Sequence, residues 1–154
     1  MPQPQTPSRP SSEFFLVNLL VTAKQVGLRP AVTLNVGGLL VAGELIDAKE
    51  YFEELANQLR DSPPGSISPE GKVQLEALFR RYAEAAVKAE QVDENASVAR
   101  PYYIHLRSAR IYHPGGAPIP SDGGTMWRVR LEDVGGFTFG LPNVGSRSET
   151  SGGR

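Results

Sequence analysis

The sequence predicts an α+β fold: a small five-stranded antiparallel barrel with an N-terminal helix and a two-helix insertion after the second strand. A glycine pair, Gly37-Gly38, separates two short apolar stretches, which is the pattern of a tight β-hairpin. Two stretches with helical periodicity follow the hairpin, and stretches for three further strands come after them. With 154 residues, the chain is long enough for one domain with its own core.

Composition divides the chain into three parts. Residues 1–11 are proline-rich and polar, so we expect a disordered arm there. Residues 142–154 are rich in glycine and serine, and we expect a disordered tail. A single globular domain is therefore predicted over residues 12–141, with the helical insertion at about 47–92.

The first predicted helix is apolar on nearly every side. Ser12 and Glu13 provide a cap and an acidic first turn, and Gly27 marks its end. The apolar run is interrupted by Asn18 and is too short to span a bilayer, so neither a membrane anchor nor a signal peptide is expected. One helix face cannot bury all of these side chains against a small barrel, so we expect some of them to contact a partner. The candidate partner-contact residues are Phe14, Phe15, Val17, Leu19 and Leu20.

The hairpin forms the centre of the predicted sheet. Val32, Leu34 and Val36 alternate with polar residues, as in a half-buried strand. Gly43 lies in the middle of the second strand, which indicates a sharp bend or a close approach of another backbone. A bent second strand is typical of a small barrel.

Two predicted helices follow the hairpin. Asp47 and Glu50 have the spacing of a capping box, and Ser68-Pro69 has the pattern of an N-cap followed by proline. Apolar residues recur on one face of each helix, and the short connection favours an antiparallel pair. The apolar stripes comprise Tyr51, Phe52, Leu55, Ala56 and Leu59 in the first of these helices and Leu75, Leu78, Phe79, Tyr82 and Ala86 in the second.

Three strands complete the predicted domain. Ile104 and Leu106 share one face of the third strand but Ile111 has the opposite parity, which predicts a β-bulge near Ser108 and Ala109. Alternation over residues 126–131 predicts the fourth strand, and the fifth includes residues 137–139. The predicted core comprises Val32, Leu34, Val41, Leu45, Ile104, Leu106, Trp127, Val129, Phe137 and Phe139.

Charge and motifs argue against several classes of function. A formal net charge of -1 gives no global electrostatic case for binding nucleic acid. The absence of cysteine excludes a disulfide, a thiolate nucleophile and a Cys-ligated zinc site. No catalytic sequence motif accompanies the two histidines, and His105 is expected to point outward from its strand, with a catalytic or metal role as the minor alternative. We predict no enzyme activity, and no catalytic, cofactor-binding or metal-binding residue.

One group of arginines forms a candidate basic face on the third and fourth strands. Tyr102, Tyr103 and Tyr112 lie near these arginines in sequence, and the combination would suit RNA. The expected role is nevertheless a solvated face, partly neutralised by Glu132 and Asp133. The four arginines are Arg107, Arg110, Arg128 and Arg130.

Two stretches carry a resemblance to a known family. Residues 34–52 contain the hairpin and the start of the helical insertion, and residues 103–140 contain the strands with the segments Ile-His-Leu and Met-Trp-Arg. Together with their spacing, they resemble the gas vesicle accessory protein GvpU over about residues 12–141. The order of a helix and five bent strands is, in addition, analogous to Sm-like and SH3-like barrels.

The resemblance implies a cytoplasmic, gas-vesicle-associated, non-enzymatic protein that acts in the assembly, spacing or clustering of the gas-filled shells. The implied partners are the gas vesicle shell or other gas vesicle proteins, with self-association possible and no membrane involved. The family supplies no catalytic residue and no cofactor. The alternative is an Sm-like nucleic-acid-binding barrel, although nucleic acid is not the expected partner.

Overall fold

The computed structural model describes residues 12–91 and 103–142. The predicted order of one helix, two strands, two helices and three strands is confirmed. The predictions for the arm over residues 1–11 and for the tail beyond residue 142 lie outside the described residues. The elements are α1 (Ser12–Gln25), β1 (Ala31–Val36), β2 (Leu39–Ile46), α2 (Ala48–Arg60), α3 (Pro69–Gln91), β3 (Tyr103–Tyr112), β4 (Thr125–Arg130), a 3-10 turn η1 (Leu131–Asp133) and β5 (Val134–Phe139).

The five strands form one antiparallel sheet in the order β4-β3-β2-β1-β5. The β1–β2 hairpin turns at Gly37 and Gly38, which both have positive φ angles of 59° and 86°. Glycine adopts this region without steric cost, which is why the pair makes the turn. The side-chain oxygen of Asn35 accepts a hydrogen bond from the Gly38 N–H at 3.2 Å and fixes the turn further.

The sheet is open, so the predicted barrel is not confirmed. Within the residues that the structure describes, β4 pairs with β3 alone and β5 with β1 alone. The chain passes from Arg130 at one edge to Val134 at the other, which an extended chain covers in at most about 15 Å. A flat sheet of five strands would hold its outer strands about 19 Å apart. The sheet is therefore strongly curled, but no ladder between β4 and β5 closes it.

Helix α1 covers one face of the sheet and forms the main core with it. Leu16 and Val17 are 0% and 4% exposed among the strand residues. Of the predicted core residues, Trp127 and Phe137 are partly buried against this cluster, while Phe139 is 55% exposed and corrects the prediction. Phe139 lies on an edge strand, two residues after Phe137, and Phe137 is where α1 contacts β5. The other predicted core residues are buried: Val32, Leu34, Val41, Leu45, Ile104, Leu106 and Val129.

The close backbone approach predicted at Gly43 in β2 and the bulge predicted in β3 are confirmed as one feature. Pairing between β2 and β3 shifts register between Ala42 and Glu44, and pairing between β3 and β4 shifts between Leu106 and Ala109. Ser108 has a positive φ of 52° at this bulge. A Cβ on Gly43 would lie 2.8 Å from the carbonyl oxygen of Arg107, so the bulge requires glycine in the neighbouring strand.

Helices α2 and α3 pack on each other, and α2 lies on the second face of the sheet. The Asp47 carboxylate accepts a hydrogen bond from the Glu50 N–H at 2.7 Å, as predicted for the start of α2. The Ser68 hydroxyl accepts from the Gly71 N–H at 3.1 Å at the start of α3. Tyr51 of α2 contacts the ring of His105 in β3, which anchors the helical pair to the sheet.

Candidate interaction surface

The structure separates the predicted contact residues of α1 into buried and exposed positions. Val17 is buried in the core, so it is not available to a partner in the folded protein. Leu19 and Leu20 are partly buried against the same core. Phe15 is 57% exposed, whereas the side chain of Phe14 lies outside the described part of the chain. Among the described side chains of this group, Phe15 presents the most apolar surface.

Phe15 belongs to an aromatic surface at the edge of the sheet, which we call the Phe15 patch: Phe15, Phe137 and Phe139. The rings of Phe15 and Phe137 stack with centroids 5.7 Å apart. Phe137 and Phe139 are two residues apart in β5, so their side chains lie on the same face of the sheet. With Phe15 and Phe139 both more than half exposed, the patch is an apolar surface that the described residues leave open to solvent.

A second apolar surface runs along α3, which we call the α3 stripe: Leu75, Leu78 and Tyr82. Spacings of three and four residues place these side chains on one side of the helix. Leu75 and Tyr82 are 38% and 52% exposed, while Ala83 on the neighbouring side is buried against α2. The Tyr82 ring stacks on Phe52 with centroids 5.2 Å apart, which ties one end of the stripe to α2. Sequence periodicity placed these three residues on one predicted stripe with Phe79 and Ala86, which are both partly buried.

The cleft between α2 and α3 is charged. Its volume is about 350 Å³. Lys49 binds Glu53 at 2.6 Å, and Arg80 binds Glu76 at 2.7 Å. The positive charges of Lys49 and Arg80 are therefore compensated by neighbours on the same helix. Small-molecule sites usually combine apolar walls with a small number of polar groups, whereas five of the seven residues that line this cleft are charged. Its lining residues are Lys49, Glu53, Arg80, Ala83, Glu84, Val87 and Lys88.

Two arginines of the candidate basic face are bound to carboxylates. Arg107 binds Glu44 at 2.6 Å, and this hydrogen bond raises the pKa of Arg107 above its ordinary value. A second carboxylate, Glu50, lies 3.6 Å from the same guanidinium group. Arg130 binds Asp133 and Glu132, each at 2.8 Å. Much of the positive charge that would attract phosphate is therefore neutralised locally.

The other two arginines are held by different groups. Arg110 donates a hydrogen bond to the Gly123 carbonyl at 2.6 Å and fixes the loop before β4. The Arg128 guanidinium lies 3.5 Å from the centre of the Tyr103 ring and 5.7 Å from that of Phe52. These are cation–π distances. The four arginines stand on neighbouring strands as predicted. Arg130 pairs with Glu132 and Asp133, the two carboxylates expected to neutralise part of this face, whereas the contacts of the other three arginines were not evident from the sequence.

His105 is buried, which corrects the expectation that it points outward. Its ring lies 4.7 Å from that of Tyr51, and α2 covers it. Burial and the nearby Arg128 lower the pKa of His105 to about 4, so the imidazole is neutral near pH 7. Its Nε2 atom has no hydrogen-bond partner within the described residues. Alternation correctly placed His105 on the face of β3 that is opposite to the face of Ile104 and Leu106. The sequence did not show that α2 covers this second face.

Over residues 12–91 and 103–142, no group of three or more His, Cys, Asp or Glu side chains is arranged to hold a metal ion. In the same part of the chain, no helix has the length and apolar character needed to cross a membrane.

Comparison with known proteins identifies a related family. The family model described as gas vesicle protein GvpU-like matches residues 13–142. The matched range contains every helix and strand of the fold except the first residue of α1. No curated protein and no solved structure matches the chain.

Proposed function

From the premise that the chain belongs to the GvpU-like family of gas vesicle proteins, we propose that it is a non-enzymatic accessory protein acting in gas vesicle assembly, spacing or clustering. It acts by protein–protein contact with the shell or with other gas vesicle proteins, at the vesicle in the cytoplasm. The family match supports the association with gas vesicles. The exposed apolar surfaces support contact as the mode of action.

The observation that carries the proposal is the placement of these surfaces on opposite faces of the sheet. The Phe15 patch lies on the face covered by α1, as Phe137 packs against the core there. The α3 stripe lies on the other face, beyond α2 and His105. A protein with apolar contact surfaces on two sides can join two bodies, as spacing or clustering of vesicles requires.

The size of the side chains favours apolar association. Burying a Phe or Leu side chain completely contributes about 1.5–3 kcal/mol. Phe15, Phe139 and Tyr82 are each more than half exposed, so a partner can still remove much of their area from water. The arginines contribute less, because Arg107 and Arg130 are already paired with carboxylates.

A flotation assay tests the proposal, because gas-filled shells rise on centrifugation and carry bound protein with them. Phe15→Glu and Leu75→Glu each place a charge in one of the two surfaces. We expect each to weaken binding roughly tenfold, a loss of about 1.4 kcal/mol. Asn18→Glu and Gln74→Glu add the same charge at exposed positions on the same two helices and should bind like the wild type.

Circular dichroism and urea unfolding of all four variants establish that the fold is kept. Binding of both surface variants at wild-type strength, with the fold intact, would show that neither surface contacts the vesicle. Equal weakening by the variants and their controls would show that net charge, and not the apolar surface, controls binding.

A further inference from the structure

The two edges of the open sheet differ in how they are protected. Edge strands expose unpaired N–H and C=O groups, and natural proteins commonly guard them with charged residues. The β4 edge carries Arg128 and Arg130. The β5 strand, Val134–Phe139, has no charged residue and no proline along its length. The β5 edge therefore lacks the charged side chains that guard the β4 edge.

The register of β5 identifies the backbone groups that have no partner strand within the described part of the chain. The Gly140 N–H donates to the Ala31 carbonyl at 2.8 Å, and Thr138 lies opposite Thr33. In an antiparallel ladder, alternate residues direct both backbone groups to the same neighbour. Thr138 and Gly140 therefore point toward β1, while Phe137 and Phe139 direct their N–H and C=O groups to the outer edge.

A second copy of β5 fits this edge around a two-fold axis. When two β5 strands run antiparallel with Thr138 opposite Thr138 of the other copy, Phe137 lies opposite Phe139. Each free N–H then meets a free C=O, so the hydrogen bonds are reciprocal. The uncharged strands bring no like charges together. Residues opposite each other share a face, so the Phe15 patches of the two copies become neighbours.

We propose that the protein forms a two-fold dimer in which β5 pairs with β5 of a second copy and the two sheets become continuous. The inference assigns a partner to the Phe15 patch of the proposed function, yet it holds whether or not the protein binds vesicles. The α3 stripe lies on the opposite face and stays open on each protomer. The dimer accordingly presents two α3 stripes to other proteins.

Amide hydrogen exchange on the full chain, without vesicles, tests the pairing directly. In dilute solution, the amides of Thr138 and Gly140 should be protected and those of Phe137 and Phe139 should exchange quickly. As concentration rises and sedimentation shows dimer, exchange at Phe137 and Phe139 should slow by roughly tenfold or more. A protein that stays monomeric into the millimolar range, or a dimer whose Phe137 and Phe139 amides remain unprotected, would overturn the inference.

A matched pair of variants separates backbone pairing from ring contact. Phe139→Pro removes the ring and the outward N–H, and proline is tolerated at an edge strand when its nitrogen faces solvent. Phe139→Ala removes the ring but keeps the N–H. Phe139→Pro should be monomeric while Phe139→Ala still dimerises, more weakly than the wild type. Dimerisation of both to the same extent would count against the inference, and exchange in the wild type decides the matter if the proline variant fails to fold.

The experiments distinguish a failure of the proposed dimer from a failure of the proposed function. A monomer that floats with vesicles and loses binding on Leu75→Glu contradicts the dimer alone. A β5-paired dimer that does not float with vesicles contradicts the vesicle contact alone.

Discussion

The ring of Phe15 stacks on the ring of Phe137 at 5.7 Å between centroids, with the planes 18° apart. The contact joins the first helix to the last strand, so the two ends of the described chain meet at one edge of the sheet. Leu16, the next residue along α1, is fully buried in the core. Adjacent residues of α1 therefore differ in role: Leu16 holds the helix to the sheet, and Phe15 extends the apolar surface beyond it.

This difference gives a first prediction about stability. Leu16→Ala should lower the free energy of unfolding by about 2–5 kcal/mol, as expected for a buried leucine. Phe15→Ala should lower it by only about 1 kcal/mol, because the lost contact is one exposed aromatic pair. Urea unfolding measures both. Equal losses for the two variants would show that Phe15 is part of the core.

The second prediction concerns the contact between Gly43 and the β3 bulge. A Cβ on Gly43 would lie 2.8 Å from the Arg107 carbonyl oxygen and 3.0 Å from the Ala109 Cα, so Gly43→Ala should cost about 1–3 kcal/mol of stability. Gly136→Ala is the matched control in β5, because its Cβ would meet nothing within 4 Å. A Gly43→Ala protein as stable as this control would mean that the two strands lie farther apart than described.

The bulge shows how much a local pattern can predict. The opposite parities of Leu106 and Ile111 predicted a register change, because alternation is strict wherever one face of a strand is buried. Gly43 independently indicated a close approach. The same reasoning identified most of the core, since Val32, Leu34 and their neighbours alternate across a half-buried sheet.

Contacts between distant segments could not be predicted in this way. Burial of His105 depends on α2 crossing the second face, and exposure of Phe139 depends on where α1 begins and on β5 being an edge. Barrel closure depends on pairing between β4 and β5, which no short-range pattern encodes. For the same reason, the arginine pattern predicted a shared face but not the ion pair between Arg107 of β3 and Glu44 of the adjacent strand β2.

The third prediction is a dependence of stability on pH through His105. Its pKa is about 4 in the fold, below its ordinary value of 6.5, so the unfolded chain binds the proton more readily. Its contribution to stability is complete above pH 6.5 and is lost as pH falls toward 4, by about 3 kcal/mol in all. The charged groups acting on it are Arg128, which lowers the pKa, and Asp47, which raises it.

Urea unfolding of the wild type and His105→Leu between pH 7.5 and 4 isolates this contribution, because the carboxylates titrate in both proteins. The stability difference should stay constant above about pH 6.5 and then shift in favour of the variant as pH falls toward 4. A difference that is constant with pH would mean that His105 is accessible to water and titrates normally.

The fourth prediction tests the anchoring of β5. The buried hydroxyl of Thr33 donates to the Gly140 carbonyl at 2.7 Å, just beyond the end of the strand. Thr33→Val keeps the shape but removes the donor, which should cost about 1–2 kcal/mol and speed amide exchange at Gly140. Thr33→Ser keeps the hydroxyl and should retain the slow exchange. Unchanged exchange in Thr33→Val would show that this hydrogen bond does not hold the strand end.

The central claim is that the protein binds gas vesicles through apolar surface. It is tested most directly by flotation of the wild type with purified vesicles as sodium chloride is raised from about 50 to 200 mM, the range over which binding through several phosphate contacts loses about 10³–10⁵ in affinity. We predict that the bound fraction stays constant or increases, because apolar contact is not screened by salt. Absence of the protein from the floating layer, or a steep loss of binding across this range, would contradict the claim.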